Sequence, residues 1–212
     1  MSKSEPREPI RRNARTNRAK ILAAARELLG QNPDATLEEI AQAAGVVRRT
    51  VHGHFPGRAA LLEALAAEAS AALRAVSERW PDVTESPERA FAGFVLAVWP
   101  EGDRYRLLLS LATQDLGQER VTEALEPARA AALAILERGQ RAGVFHDRLP
   151  APVLNAAMEA YTLGLLESVN TGSWQGDARQ AAVASLIAVG VPVQRAERVV
   201  AEVVAEVLAE QG

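Results

Sequence analysis

The sequence predicts an all-α protein. Apolar residues recur at intervals of three and four along most of the chain, which is the spacing of one helix face, and no stretch alternates apolar and polar residues as a half-buried strand does. Helix-favouring residues dominate the composition, and 48% of the chain is hydrophobic, which is ample for a core. The predicted fold is an N-terminal three-helix domain followed by a C-terminal bundle of helices.

The first two helices are marked by clear start and stop signals. Residues 16–29 form the first, which ends at Gly30 and the Asn-Pro-Asp sequence that follows; its apolar face carries Ile21, Leu22, Ala25, Leu28 and Leu29. The second starts at a capping box, in which the Thr36 hydroxyl and the Glu39 carboxylate each satisfy a free backbone N–H. Its apolar face is Leu37, Ile40, Ala41 and Ala44, and Gly45 ends it where a positive φ is needed.

A third short helix follows the glycine turn. Val46 and Val51 are predicted to face the core, which leaves Arg48, Arg49, Thr50, His52 and Gly53 on the outer face. Two short helices joined by a tight turn, with arginines on the second, form a helix-turn-helix, whose second helix enters the major groove of DNA. Arginines on that helix can read guanine through paired hydrogen bonds, whereas the alternative is a solvated helix face.

Residues 15 to about 65 resemble the DNA-binding domain of the TetR family of bacterial transcriptional regulators. The resemblance rests on residues 35–41 (ATLEEIA), Gly45-Val46, residues 50–58 (TVHGHFPGR) and Ala60-Leu61-Leu62. It implies that Thr36, Thr50, His52 and Arg58 hold DNA phosphates, that Val47, Arg48, Arg49 and Gly53 face base edges, and that His54 and Phe55 seat the recognition helix. The chain departs from the family at Val47, where the family has Ser or Thr, and at His52, where it has Tyr. The third departure is Gly53, which costs roughly 1 kcal/mol of helix propensity relative to Ala, with close approach to DNA as the alternative explanation.

Charge is unevenly distributed along the chain. Residues 1–60 hold 11 Lys and Arg against 6 Asp and Glu, a net charge of +5, whereas residues 61–212 carry −8. A basic end on an acidic molecule directs DNA to that end. Residues 1–14 are predicted to be a basic flexible arm, and Arg11, Arg12 and Arg15 are expected to follow a minor groove or phosphates. A solubilising disordered tail remains the alternative.

The remaining chain predicts a further series of helices. They are expected at about 59–80, 88–99 (ending at Pro100), 104–113, 119–142 (kinked or interrupted at Pro127), 151–170, 177–189 and 193–209. The last has an apolar stripe that must be buried, formed by Ala196, Val199, Val200, Val203, Val204, Val207 and Leu208. The predicted domains are thus the arm, a DNA-binding domain at 15–62 and a helical domain at 63–212.

The resemblance implies that the helical domain binds a small molecule and pairs two copies of the chain through residues 151–189. The predicted pocket lining consists of Phe91, Phe94, Trp99, Tyr105, Met158 and Tyr161, for which ordinary core packing is the alternative. Such a lining favours a hydrophobic or aromatic effector, and Arg104, Arg106 or Asp115 could add a charged contact. No cofactor is expected. No metal is expected either, because His52 and His54 are two apart on a helix and cannot ligate one ion.

The functional hypothesis is a homodimeric, cytoplasmic repressor that leaves a palindromic DNA operator when its effector binds. Neither a signal peptide nor a run of roughly 20 apolar residues is found, so no membrane partner is expected. Two alternatives stay open: an effector-independent DNA-binding protein with a structural body, and a helical enzyme or binding module. The enzyme is disfavoured because the common nucleophile, phosphate-loop and dinucleotide motifs are absent from the sequence.

Overall fold

The computed structural model describes residues 7–78 and 86–210, and within those ranges the chain forms nine α-helices and no strand. The all-α prediction is confirmed. The helices are α1 (Arg7–Leu29), α2 (Leu37–Ala43), α3 (Arg48–His54), α4 (Arg58–Ser77), α5 (Pro87–Asp115), α6 (Gln118–Arg141), α7 (Ala151–Asn170), α8 (Ala178–Ala188) and α9 (Val193–Glu210).

The chain divides into two compact units. One, here called the head, comprises Met1–Glu68 and Leu107–Val121; the other, the body, comprises Ala69–Arg106 and Thr122–Gly212. Helices α4, α5 and α6 each contribute residues to both units. The head therefore includes a segment around the end of α5 that the sequence prediction places wholly in the helical domain.

In the head, α1, α2 and α3 pack on one another. The buried residues of α1 and α2 follow the predicted faces: Ile21, Leu22, Ala25, Leu29, Ile40, Ala41 and Ala44 are buried, with Leu28 and Leu37 half-buried. Gly45 adopts a φ of 65° in the turn between α2 and α3, a conformation that a side chain at Cβ would disfavour. Local signals in the sequence thus fix the core of this unit.

Helix α1 is longer than predicted. It begins at Arg7 rather than at residue 16, so residues 7–14, predicted as a flexible arm, are helical in this structure. The only proline in the helix, Pro9, lies in the first turn, where the missing N–H would have no helical partner in any case. Met1–Pro6 lie outside the described residues, and so does the side chain of Arg11.

Helix α5 also differs from the prediction, because it runs through Pro100 without a break. The predicted helices at 88–99 and 104–113 are therefore one. An internal proline removes one backbone hydrogen bond and favours a kink, but it does not have to end a helix. Pro100 is exposed, so solvent can hydrate the carbonyl that this residue leaves without a partner. Pro127 is similarly accommodated within α6.

In the body, α8 packs on both α7 and α9. The apolar stripe of α9 is buried at Ala196, Val199, Val200 and Val203, as predicted, whereas Val207 and Leu208 are exposed at 37% and 65%. In the single chain, the prediction that the whole stripe is buried is therefore wrong for the last turns of α9. No helix in the described ranges combines the length and apolar character needed to cross a membrane.

Ion pairs connect the start of α5 with α9, the last helix of the chain. Arg89 at the start of α5 pairs with Glu202 and Glu206 of α9, and Arg195 of α9 pairs with Glu88. The hydrogen bond that Arg195 donates to Glu88, together with the negative charge of Glu88, raises the pKa of Arg195 above its ordinary value. These exposed or partly exposed pairs align α9 along α5, although each contributes little stability because solvent screens it.

Candidate nucleic-acid interface

The interface begins with the capping box at the start of α2. The Thr36 backbone N–H donates to Glu39 Oε2 at 2.7 Å, and the Glu39 N–H donates to Thr36 Oγ1 at 3.2 Å. The predicted capping box is confirmed. Hydrogen bonds from the Thr36 backbone and hydroxyl hold the pKa of Glu39 below its ordinary value, so this carboxylate is committed to the helix start.

Helix α3 presents most of the predicted base-reading residues to solvent. Val51 is fully buried and fixes the inward face, while Val47, Arg48, Arg49, His52 and Gly53 are exposed and Thr50 and His54 are half-buried. Val47 is the N-cap, with 69% of its surface exposed and no side chain that can cap the helix. A β-branched apolar residue here is consistent with contact to a thymine methyl group, but not with a hydroxyl contact.

The two arginines at the start of α3 are held differently. Arg48 Nη1 lies 3.3 Å from Glu38 Oε2 of α2, and both side chains are largely exposed. Arg49 is exposed and pairs with no carboxylate among the described residues. Either guanidinium retains enough donors for a guanine edge, which accepts two hydrogen bonds side by side.

His52 lies on the same face and is oriented by its own helix. Its Nδ1 lies 3.3 Å from the backbone carbonyl oxygen of Arg48, and since a carbonyl only accepts, this bond places a hydrogen on Nδ1. This contact orients the imidazole ring on the outer face of α3, and the phosphate contact of His52 stays a prediction.

Arg58, predicted as a phosphate ligand, is bound within the head in this structure. Its Nε donates to Asp115 Oδ2 at 3.0 Å, its Nη1 to the Ala35 carbonyl at 3.1 Å and its Nη2 to the Pro33 carbonyl at 2.6 Å. Pro33 and Ala35 lie in the loop immediately before the α2 N-cap, so Arg58 fixes the position at which α2 begins. Asp115, considered from sequence as an effector contact in the body, belongs to the head.

A cation–π contact supports the recognition helix from α1. The Arg18 guanidinium lies 5.4 Å from the centre of the Phe55 ring, and Phe55 is 2% exposed directly after α3. Neighbouring His54 is tilted relative to Phe55, with ring centres 6.3 Å apart. Arg12 and Arg15 are exposed on α1, where they remain predicted DNA contacts. The sequence places Arg18 in a basic cluster of α1 but does not predict its contact with Phe55, because the two residues are far apart along the chain.

The residues of the predicted effector pocket lie in the body. Phe91, Phe94, Trp99, Tyr105 and Met158 are buried, whereas Tyr161 is 37% exposed. Phe91 and Phe94 have ring centres 6.4 Å apart, and Phe145 meets Phe91 edge-on at 5.7 Å. Trp174, in the loop between α7 and α8, packs edge-on against Trp99 at 5.7 Å. Phe145 and Trp174 were not predicted, because both follow glycine-containing turns outside the helical periodicity.

One partly buried charged cluster also lies in the body. Arg129 of α6 forms two hydrogen bonds of 2.7 Å to the carboxylate of Glu159 on α7, and Asn155 donates to the Arg129 carbonyl at 3.0 Å. The hydrogen bond to Glu159 is the main reason that the pKa of Arg129 is raised, so Arg129 stays charged. Among the described residues no group of three or more His, Asp or Glu side chains is arranged to hold a metal ion.

Known proteins share both the sequence of the head and the fold. Residues 21–65 match the family model described as bacterial regulatory proteins, tetR family. The HTH-type transcriptional repressor LfrR of Mycolicibacterium smegmatis is 32% identical, over 72% of this chain and 91% of the repressor.

Two solved structures are similar as well. The TetR-like transcriptional regulator LfrR from Mycobacterium smegmatis, in complex with proflavine, gives a TM-score of 0.66 at 25% identity and covers 82% of this chain and 94% of its own. PfmR from Thermus thermophilus, a TetR family transcriptional regulator, gives a TM-score of 0.67 at 18% identity, covering 81% of this chain and 97% of its own. The second likeness concerns the fold alone.

Proposed function

Because the chain belongs to the TetR family of bacterial transcriptional regulators, we propose that it is a repressor that binds a palindromic DNA operator as a homodimer and leaves it when an effector binds. The observation that carries the proposal is the exposed face of α3, where Arg48, Arg49 and His52 lie together on the basic end of an acidic chain. Residues 15–62 read the DNA, residues 63–212 bind effector and partner copy, and Arg11, Arg12 and Arg15 add phosphate contacts.

Dimerisation is required by the size of the reading surface. One short helix contacts only a few base pairs, so useful affinity needs two copies whose recognition helices lie about 34 Å apart on one face of the duplex. Val153 and Tyr161 of α7 and Ile187 of α8 are large apolar side chains with 51%, 37% and 39% of their surfaces exposed. Exposed apolar residues on these two helices support pairing through residues 151–189.

The effector is proposed to be aromatic. Buried rings on α5, together with Phe145 and Trp174, offer faces and edges on which an aromatic molecule can stack. The relative LfrR was solved in complex with proflavine, which is such a molecule. To release DNA, the effector must bind the DNA-incompetent state better than the competent one; a coupling of about 2 kcal/mol lowers operator affinity roughly thirtyfold.

Two measurements test this proposal. Fluorescence anisotropy with labelled duplexes tiling the upstream region of the chain's own gene should find one fragment bound far more tightly than the rest, at a stoichiometry of two chains per site. Proflavine, used as the probe, should raise the melting temperature of the protein and weaken binding to that fragment.

The outcomes separate the proposal from its alternatives. Tight, sequence-selective binding that no aromatic probe alters would favour an effector-independent DNA-binding protein. Failure of the wild-type protein to bind any fragment at low salt would contradict the proposal as a whole.

A further inference from the structure

The recognition helix starts with two adjacent arginines, and one carboxylate distinguishes them. Glu38 and Glu39 both lie in the first turn of α2, but Glu39 is committed to the capping box by Thr36. Glu38 is left with its carboxylate 3.3 Å from Arg48 Nη1. Glu39 therefore caps α2, whereas Glu38 pairs with Arg48. This pair restrains the Arg48 side chain, and no described carboxylate restrains Arg49 in the same way.

Within α3 itself, no side chain offsets the positive charge at the start of the helix. Val47 provides no side-chain cap, and α3 has no acidic residue in its first turn. The unpaired backbone N–H groups and two guanidinium groups thus lie close together, an arrangement that disfavours helix formation and attracts any phosphate. Glu38 is the acid that reaches this cluster from the neighbouring helix.

The geometry of the pair leaves Arg48 able to bind a base. The contact uses Nη1, so the edge formed by Nε and Nη2 keeps its N–H donors, and that edge matches the two acceptors of guanine. An arginine whose conformation is already restrained loses less side-chain entropy when it binds a base. This advantage exists only when the base lies within reach of the restrained guanidinium. While Arg48 is paired with Glu38, its charge is also less available to the phosphates of DNA that lacks this base.

We propose, resting on the DNA-binding function above, that Glu38 is a specificity-determining residue that acts through Arg48. It orients the Arg48 guanidinium for one base edge and lowers the affinity for DNA that lacks this base. Glu38 touches Arg48 and not the reading edge itself, so it is a positioning residue. Its effect is expected on the ratio of specific to non-specific affinity more than on the affinity for the operator.

The test measures that ratio in a double-mutant cycle. Duplexes selected from a random library by the wild-type protein serve as operator, and a scrambled duplex of equal length and composition serves as competitor. Anisotropy titrations at several salt concentrations compare wild type, Glu38→Gln, Arg48→Ala and the double variant. Glu63→Gln, an exposed acid on α4, is the matched control for loss of one negative charge.

Glu38→Gln should bind the scrambled duplex about two- to fivefold more tightly, the range that an exposed ion pair supports, while operator affinity rises less or falls. The ratio should therefore decrease, with a steeper salt dependence on scrambled DNA. In the Arg48→Ala background the same substitution should leave the ratio unchanged. Glu63→Gln should shift both affinities alike, and circular dichroism should show that all variants remain folded.

Each other outcome overturns the inference. An unchanged ratio in Glu38→Gln would show that the pair does not contribute to discrimination. An equal change in both Arg48 backgrounds would show a general charge effect rather than one transmitted through Arg48. A wild-type protein that selects no duplex would contradict the proposed function itself, whereas a wild type that discriminates and a Glu38→Gln variant that discriminates equally well contradict the role of Glu38 alone.

Discussion

Arg58 is predicted to stabilise the head, whatever it contributes to DNA binding. Arg58→Ala removes three hydrogen bonds from one half-buried guanidinium: to Asp115 and to the carbonyls of Pro33 and Ala35. The two bonds to carbonyls are worth about 1 kcal/mol each, and the partly exposed ion pair is worth about 0.5 kcal/mol after screening. We expect the free energy of unfolding to decrease by about 2 to 3 kcal/mol.

Urea denaturation followed by far-UV circular dichroism measures this loss, and two variants divide it into its parts. Asp115→Asn removes the charge of one partner only and should cost about 0.5 kcal/mol. Arg58→Lys keeps the charge but cannot reach all three acceptors at once, so it should fall between wild type and Arg58→Ala. If Arg58→Ala unfolds within about 0.5 kcal/mol of wild type, the network is not structural, and the phosphate contact would be the only role left for Arg58.

Three further predictions concern other parts of the chain. Val203→Asp places a carboxylate at a position that is 3% exposed and should destabilise the body by more than about 3 kcal/mol in urea denaturation, whereas Leu208→Asp, at 65% exposure, should change stability little; equal effects would contradict the burial of α9. A Cβ on Gly53 would meet nothing within 4 Å, so Gly53→Ala should raise the free energy of unfolding by up to about 1 kcal/mol, and weaker operator binding alongside it would show that DNA approaches closely there. Hydrogen bonds from Thr36 lower the pKa of Glu39 from its ordinary 4.5, so the stability that Glu39 contributes is present above that pH and is lost as the pH falls through the lowered pKa. Glu39→Gln should therefore reduce the loss of stability on acidification, and an unchanged loss would refute the role given to Glu39.

The head was predictable because its signals are local. The capping box spans four residues, Gly45 marks a turn that only a positive φ can make, and the buried residues of α1 and α2 follow from periodicity. A chain segment of this kind determines its own helix starts and ends through hydrogen bonds within one turn. The exposed face of α3 was predictable from Val51, because burial of this residue turns the opposite side of the helix towards solvent.

The contacts that position this face were not predictable, since they join distant residues. Arg58 and Asp115 are 57 residues apart, and Glu38 and Arg48 lie on different helices. Nothing in the sequence indicates which arginine finds which carboxylate, because that depends on how the helices pack. The same dependence explains the errors in the longer helices, where a local rule for Pro100 was overridden and the last turns of α9 were left exposed.

Whether the exposed face of α3 reads DNA is best tested with the Arg49→Ala variant. Arg49 is exposed and pairs with no described carboxylate, so its loss should leave the thermal unfolding curve unchanged. Because a paired arginine–guanine contact contributes about 1 to 3 kcal/mol and the homodimer loses one in each half-site, operator affinity should fall by roughly 30-fold or more, while affinity for scrambled DNA should fall much less. A folded Arg49→Ala protein whose operator affinity equals that of wild type would contradict the account.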